Sequence, residues 1–123
     1  MDLYRENILD HYRNPRNFGE LENHDKKAEE ENPLCGDKFK IFLKLHTTHY
    51  KLQTIKDIRF SGEGCAISMA SASMLTELAK GKSTKDLQKL NKDDILQMLG
   101  VELTPTRLKC ALLPLEVLHK ALL

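Results

Sequence analysis

The chain has 123 residues, 30% of them charged, and a formal net charge of only +1. This length predicts a single domain over residues 1–123, and the near-neutral charge speaks against nucleic acid as a partner. No apolar run reaches the roughly 18 residues of a membrane span and no signal-peptide pattern occurs, so we expect no membrane partner and a cytoplasmic protein.

The first half of the chain predicts one helix followed by two strands. Residues 2–12 have apolar side chains at helical spacing (Leu3, Ile8, Leu9), and Asn14 and a following proline end the segment. Residues 17–33 are polar and acid-rich, which predicts a solvated connector rather than a packed element. Residues 38–46 and 48–62 alternate charged and apolar side chains, which predicts an antiparallel sheet with one face in water.

The second half of the chain changes to a helical period. A long helix is predicted from Ala66 to a stop at Gly81. Two short helices follow, opened by caps at Ser83 and Asn91, and a last helix closes the chain with Pro114 near its first turn or at a kink. The order of strands first and helices after predicts an α+β fold.

Four side chains that can bind metal lie at the boundaries of these elements: Cys35, Asp37, Cys65 and Cys110. Gly36 allows a tight turn between the first two, and Gly64 relieves crowding beside Cys65. A thiol at a helix N-terminus, as predicted for Cys65, has a lowered pKa that favours the thiolate. Three thiolates and one carboxylate could hold Zn²⁺ or the four ligand positions of a [2Fe–2S] cluster.

The residues alone leave two interpretations of the cysteines open. Three cysteines are an odd number, and their wide spacing argues against a disulfide framework and is weaker evidence for metal than a C-x-x-C pair. Cysteines of this kind are usually small buried apolar residues. If the four side chains do bind metal, the excess negative charge of the ligands makes Arg107 and Lys109 suitable neighbours. The serines of "AISMASASM" lack a nucleophile elbow and predict close helix packing.

Four stretches resemble one known family along nearly the whole chain: "LYRENILDHYRNPRNFG", "NPLCGD", "GEGCAISMASASMLTELAKGKS" and "RLKCALLPLEVLHKAL". They are similar to the NifU-like scaffold proteins of iron–sulfur cluster assembly, the IscU and SufU proteins. The resemblance implies an N-terminal helix, a small antiparallel sheet of about three strands, and helices packed on one face. It also implies that Cys35, Asp37, Cys65 and Cys110 hold the metal or nascent cluster. A cysteine desulfurase would deliver sulfur and recipient apoproteins or carriers would accept the cluster, so the chain would be a scaffold rather than a turnover enzyme.

The two branches of the family imply different chemistry. An IscU-like scaffold would build a transient [2Fe–2S] cluster, with Cys110 as the first sulfur acceptor. A SufU-like sulfurtransferase would bind Zn²⁺ and accept persulfide sulfur on Cys35. The motif around Cys65, together with Arg107 and Lys109, resembles SufU, whereas the short segment from Gly81 to Cys110 lacks the insertion typical of SufU. A third hypothesis is a purely structural zinc, against which the carboxylate ligand speaks.

Overall fold

The computed structural model describes residues 2–33, 36–48 and 50–123. The chain begins with a helix, continues through three strands and ends with helices. The elements are α1 (Leu3–Arg13), β1 (Lys26–Asn32), β2 (Asp37–Thr47), β3 (Gln53–Glu63), α2 (Ala66–Ala79), α3 (Thr84–Gln88), α4 (Lys92–Leu99) and α5 (Pro105–Ala121). This order confirms the predicted α+β fold.

The three strands form one antiparallel sheet in the order β1-β2-β3. Alternate side chains of the two long strands form the buried face of the sheet, against which α2 and α5 pack: Phe39, Ile41, Leu43, Ile55, Ile58 and Phe60. Burying one side chain of this size contributes about 1.5–3 kcal/mol, so these positions dominate the stability of the sheet.

Strand β1 lies inside the segment that was predicted to be a solvated connector, so that prediction was wrong. Ala28 is the buried side chain of β1, while lysines and glutamates occupy most of its other positions. Glu29 lies 3.6 Å from the ammonium of Lys38 on β2, and Glu30 lies 2.9 Å from that of Lys120 on α5. Charged side chains are common on edge strands, where they prevent pairing with other chains, and they hide the strand pattern in the sequence.

The predicted helix caps are confirmed by hydrogen bonds to backbone N–H groups. The Ser83 hydroxyl accepts the backbone N–H of Asp86. The side chains of Asn91 and Asp94 each accept the other residue's backbone N–H, which forms a capping box. Pro114 lies in the middle of α5, not in its first turn, where Pro105 lies instead. Among the residues that the structure describes, no helix is long and apolar enough to cross a membrane.

Helix α2 is rich in buried serines that contact three different parts of the molecule. Ser71 donates to the carbonyl oxygen of Ala111 on α5 at 2.7 Å. Ser73 accepts from the backbone N–H of Arg16 at 2.9 Å and is hydrogen-bonded to His11 of α1 at 2.7 Å. The predicted close packing is therefore accompanied by hydrogen bonds, and Ser68, at the start of the helix, contacts the site described next.

Candidate metal centre

Asp37, Cys65 and Cys110 come from three different elements and meet at one end of the sheet. Asp37 is the first residue of β2, Cys65 is the N-cap of α2, and Cys110 lies in the second turn of α5. Each can offer one ligand atom, and these three atoms all lie within 4.8 Å of one another. The structure thus brings together three of the four predicted ligands, while Cys35 lies outside the described residues.

The pairing of β2 with β3 brings Asp37 next to Cys65. Lys38, the second residue of β2, pairs with Glu63, the last residue of β3, so the start of one strand lies beside the end of the other. The chain then needs only Gly64 to reach the first turn of α2. Residues 28 positions apart therefore become neighbours through the register of the sheet.

The Asp37 carboxylate is buried, with 2% of the residue exposed, and it contacts the N-terminus of α2. Its Oδ1 accepts the backbone N–H of Cys65 at 3.2 Å, and its Oδ2 lies 4.0 Å from the Cys65 sulfur. The first N–H groups of a helix lack partners within the helix and attract negative charge. Asp37 therefore also serves as an acceptor for α2.

The Cys65 thiol has a lowered pKa, as its position at a helix N-terminus predicts. Burial raises the pKa, and the nearby Asp37 charge acts in the same direction. Hydrogen bonds from the backbone and hydroxyl of Ser68 and from the backbone of Ile67 lower the pKa and outweigh those effects. A lowered pKa favours the thiolate, the form that binds metal and attacks sulfur.

The two predicted glycines occupy the positions that need them. Gly36 has a left-handed backbone, with φ +76°, and donates its N–H to the carbonyl of Asn32 at 2.8 Å in the turn before β2. A Cβ atom on Gly64 would lie 2.2 Å from the hydroxyl of Ser68 and 3.0 Å from Oδ1 of Asp37. Gly64 therefore leaves room for the ligands to approach one another.

The three candidate ligands open onto a cleft of about 520 Å³. It is lined by Gly36, Asp37, Glu63, Gly64, Cys65, Thr106, Arg107 and Cys110. Arg107 thus lines the same cleft as the candidate ligands. Lys109 instead lines a neighbouring cleft of about 260 Å³ together with Glu31 and Glu116. Burial and the negative charge of Glu30 raise the pKa of Glu116.

The sequence interpretation did not assign Ser68 to the site. Its hydroxyl lies 3.1 Å from the carbonyl oxygen of Cys65 and 3.6 Å from the Cys65 sulfur. The sequence feature that could have identified Ser68 is its spacing from Cys65, because a residue three positions after a helix N-cap can reach back to it.

The two sulfurs and one carboxylate oxygen of Cys65, Cys110 and Asp37, at this separation, are a donor set that suits Zn²⁺ or an iron–sulfur cluster.

The model of the NifU-like N terminal domain matches residues 3–123. The chain is 38% identical to the zinc-dependent sulfurtransferase SufU of Bacillus subtilis (strain 168), in an alignment of 135 residues that covers 96% of this chain and 88% of the relative. It is 35% identical to the iron–sulfur cluster assembly scaffold protein IscU of Escherichia coli (strain K12) over 122 residues, covering 97% of this chain and 91% of the relative.

A solved structure with a similar fold is that of a SufU protein from Fervidobacterium islandicum AW-1. The two superpose with a TM-score of 0.81 at 29% sequence identity, covering 96% of this chain and 95% of the other. The family model covers almost every residue, and both relatives align over nearly the whole chain. The chain therefore belongs to the NifU-like N-terminal domain family.

Proposed function

We propose that this chain is an iron–sulfur cluster assembly scaffold. It accepts sulfur from a cysteine desulfurase, assembles a labile [2Fe–2S] cluster on Cys35, Asp37, Cys65 and Cys110, and passes the cluster to recipient proteins. The observation that carries the proposal is the convergence of one buried carboxylate with two cysteine sulfurs, all within 4.8 Å, beside a cleft. Names of relatives such as IscU of Escherichia coli support the same function.

The mixed donor set favours a cluster that can leave over a purely structural metal. A carboxylate oxygen is a hard ligand, whereas iron–sulfur clusters and structural zinc are held most firmly by soft thiolates. Asp37 is therefore the weakest member of the set. The cleft beside it gives a recipient protein a route to the cluster.

Sulfur transfer requires one cysteine thiolate to attack the outer sulfur of the desulfurase persulfide. A new S–S bond forms on the acceptor, the S–S bond of the desulfurase breaks, and its cysteine leaves as a thiolate. In the scaffold hypothesis Cys110 is this acceptor. Because Cys110 is only 2% exposed but lines the cleft, the persulfide must enter the cleft to reach it.

The second candidate function is a zinc-bound sulfurtransferase, favoured by Arg107 at the cleft and by the similarity to SufU of Bacillus subtilis. In that function Asp37, Cys65, Cys110 and Cys35 would hold Zn²⁺, which keeps coordinating thiols deprotonated. Cys35 would then accept the sulfur. The 135-residue alignment exceeds the length of this chain, so SufU contains residues without a counterpart here, which favours the scaffold.

The two functions are separated by the turnover of a cysteine desulfurase, followed as alanine released with and without the zinc-loaded protein. Strong stimulation that disappears in Cys35→Ala supports the sulfurtransferase. Little stimulation, together with a coloured cluster formed from iron and sulfide without oxygen, supports the scaffold. The absence of both stimulation and a cluster would contradict both functions. Mass spectrometry adds an independent check, because the persulfide is expected on Cys110 for the scaffold and on Cys35 for the sulfurtransferase.

Replacing Asp37 with alanine is expected to give a cluster that stays on the protein longer. Loss of the exchangeable oxygen ligand should slow cluster transfer to an apoprotein by about tenfold, which corresponds to about 1.4 kcal/mol in activation free energy. The measurement is the decay of cluster absorbance on mixing with excess apoprotein. The same change removes an acceptor from α2 and should cost about 1 kcal/mol of stability. Asp37→Cys therefore serves as a second variant, and wild-type transfer rates in both would contradict the role of Asp37.

A further inference from the structure

The hydroxyl of Ser68 lies between two possible acceptors that belong to the same residue. Its oxygen is 3.1 Å from the carbonyl oxygen of Cys65 and 3.6 Å from the Cys65 sulfur. A serine hydroxyl has one proton to donate, so the two acceptors compete for it. Ser68 is fully buried, so water is not a third acceptor for this proton.

The carbonyl of Cys65 does not depend on this proton. It already accepts the backbone N–H of Met69 at 3.0 Å, the regular hydrogen bond of the first helical turn. The hydroxyl is also confined, because the backbone of Gly64 lies so close that an added Cβ atom would be 2.2 Å from it. Ser68 can therefore turn its proton to the sulfur without leaving that carbonyl unsatisfied.

A sulfur that carries negative charge is the stronger of the two acceptors. Hydrogen bonds in which the acceptor is ionised are roughly twice as strong as those between neutral groups. When the Cys65 sulfur binds a metal ion or a cluster it does so as a thiolate, and the Ser68 proton then gains most by pointing at it. A hydrogen bond of this kind withdraws electron density from the sulfur and weakens its donation to the metal.

We propose that Ser68 is a positioning residue for the metal centre, whose hydroxyl donates to the Cys65 sulfur when that sulfur is bound and reduces its donor strength. This inference rests on the proposed function, since it concerns the same ligand set. It assigns the tuning of one thiolate to a side chain of α2 that is not itself a ligand. With this hydrogen bond, two of the proposed ligands are weak donors: the Asp37 carboxylate and the Cys65 thiolate.

The test uses Co²⁺ as a spectroscopic probe in the full-length chain. Thiolate-bound Co²⁺ has a sulfur-to-metal charge-transfer band in the near ultraviolet, and its energy falls as the sulfur becomes richer in electrons. We expect this band to move to longer wavelength in Ser68→Ala. The matched control is Ser73→Ala, which removes the same kind of buried hydroxyl from the same helix about 7.5 Å further along its axis. The band of this control should stay at the wild-type position.

The outcomes separate this inference from the proposed function. An unchanged band in Ser68→Ala with Co²⁺ bound overturns the role of Ser68 and leaves the metal centre intact. An equal shift in Ser73→Ala also overturns it, because loosening of the helix would then explain both. Absence of any sulfur-to-cobalt band in the wild-type protein overturns the metal centre, and with it the proposed function and this inference.

Discussion

Gly62→Ala should lower the free energy of unfolding by about 3–4 kcal/mol, a large share of the 5–15 kcal/mol that stabilises a typical domain. Gly62 has φ +132°, a backbone conformation that alanine adopts only with strain. An added Cβ atom would also lie 2.0 Å from the carbonyl oxygen of Lys38 and 2.9 Å from the Cα of Phe39. Because both contacts are to the backbone of β2, the paired strands must separate locally. Urea unfolding of the metal-free protein, followed by circular dichroism, measures this change.

Gly19→Ala is the matched control for this experiment. Gly19 has nearly the same φ, +131°, but an added Cβ atom would meet nothing within 4 Å. It therefore reports the conformational strain of alanine without the clash against β2. If Gly62→Ala destabilised the protein no more than Gly19→Ala, the proposed contact with the β2 backbone would be wrong.

Gly64→Ala is expected to damage the candidate metal site much more than the fold. Its φ is not in the left-handed region, but an added Cβ atom would displace the Ser68 hydroxyl and the Asp37 carboxylate. Ligand geometry must be kept within a few tenths of an ångström for tight binding, so we expect Zn²⁺ affinity to fall at least about 100-fold, or about 2.8 kcal/mol. Competition with a chromophoric chelator measures the affinity.

The stability of Gly64→Ala without metal provides the control for that loss. The clash involves two side chains rather than the backbone, so the free energy of unfolding should fall by only about 1–2 kcal/mol. Zn²⁺ affinity equal to that of the wild type would show that Asp37 and Ser68 move aside without cost. A stability loss as large as that of Gly62→Ala would show that Gly64 supports the fold instead of the ligands.

The sequence predicted those elements whose side chains separate clearly into buried and exposed sets. Strands β2 and β3 alternate charged and apolar residues, and α2 and α5 show apolar residues at helical spacing. Strand β1 was missed because Ala28 is its one buried residue and its charged neighbours look like those of a solvated segment. Local pattern cannot reveal a strand whose pairing partner supplies most of the stabilisation.

The candidate ligands could be identified because cysteine and aspartate beside glycine at element boundaries form an unusual pattern. Their contacts could not be derived, since the hydrogen bond between Asp37 and the Cys65 backbone depends on the register of β2 against β3. Lys109 lines a different cleft from Arg107, and helix geometry accounts for this difference. Residues two positions apart on an α-helix point in directions about 200° apart, so the two side chains do not face the same site.

The candidate ligands at positions 37, 65 and 110 belong to a strand and two helices that are distant in the chain. They can meet only in molecules whose sheet and helices are assembled, so the measured affinity for metal equals the intrinsic affinity multiplied by the folded fraction. A substitution far from the site that leaves half of the molecules unfolded would therefore halve the apparent affinity with every ligand intact. Excess metal in turn stabilises the folded form, by about 4 kcal/mol when the free metal concentration is 1,000 times the dissociation constant.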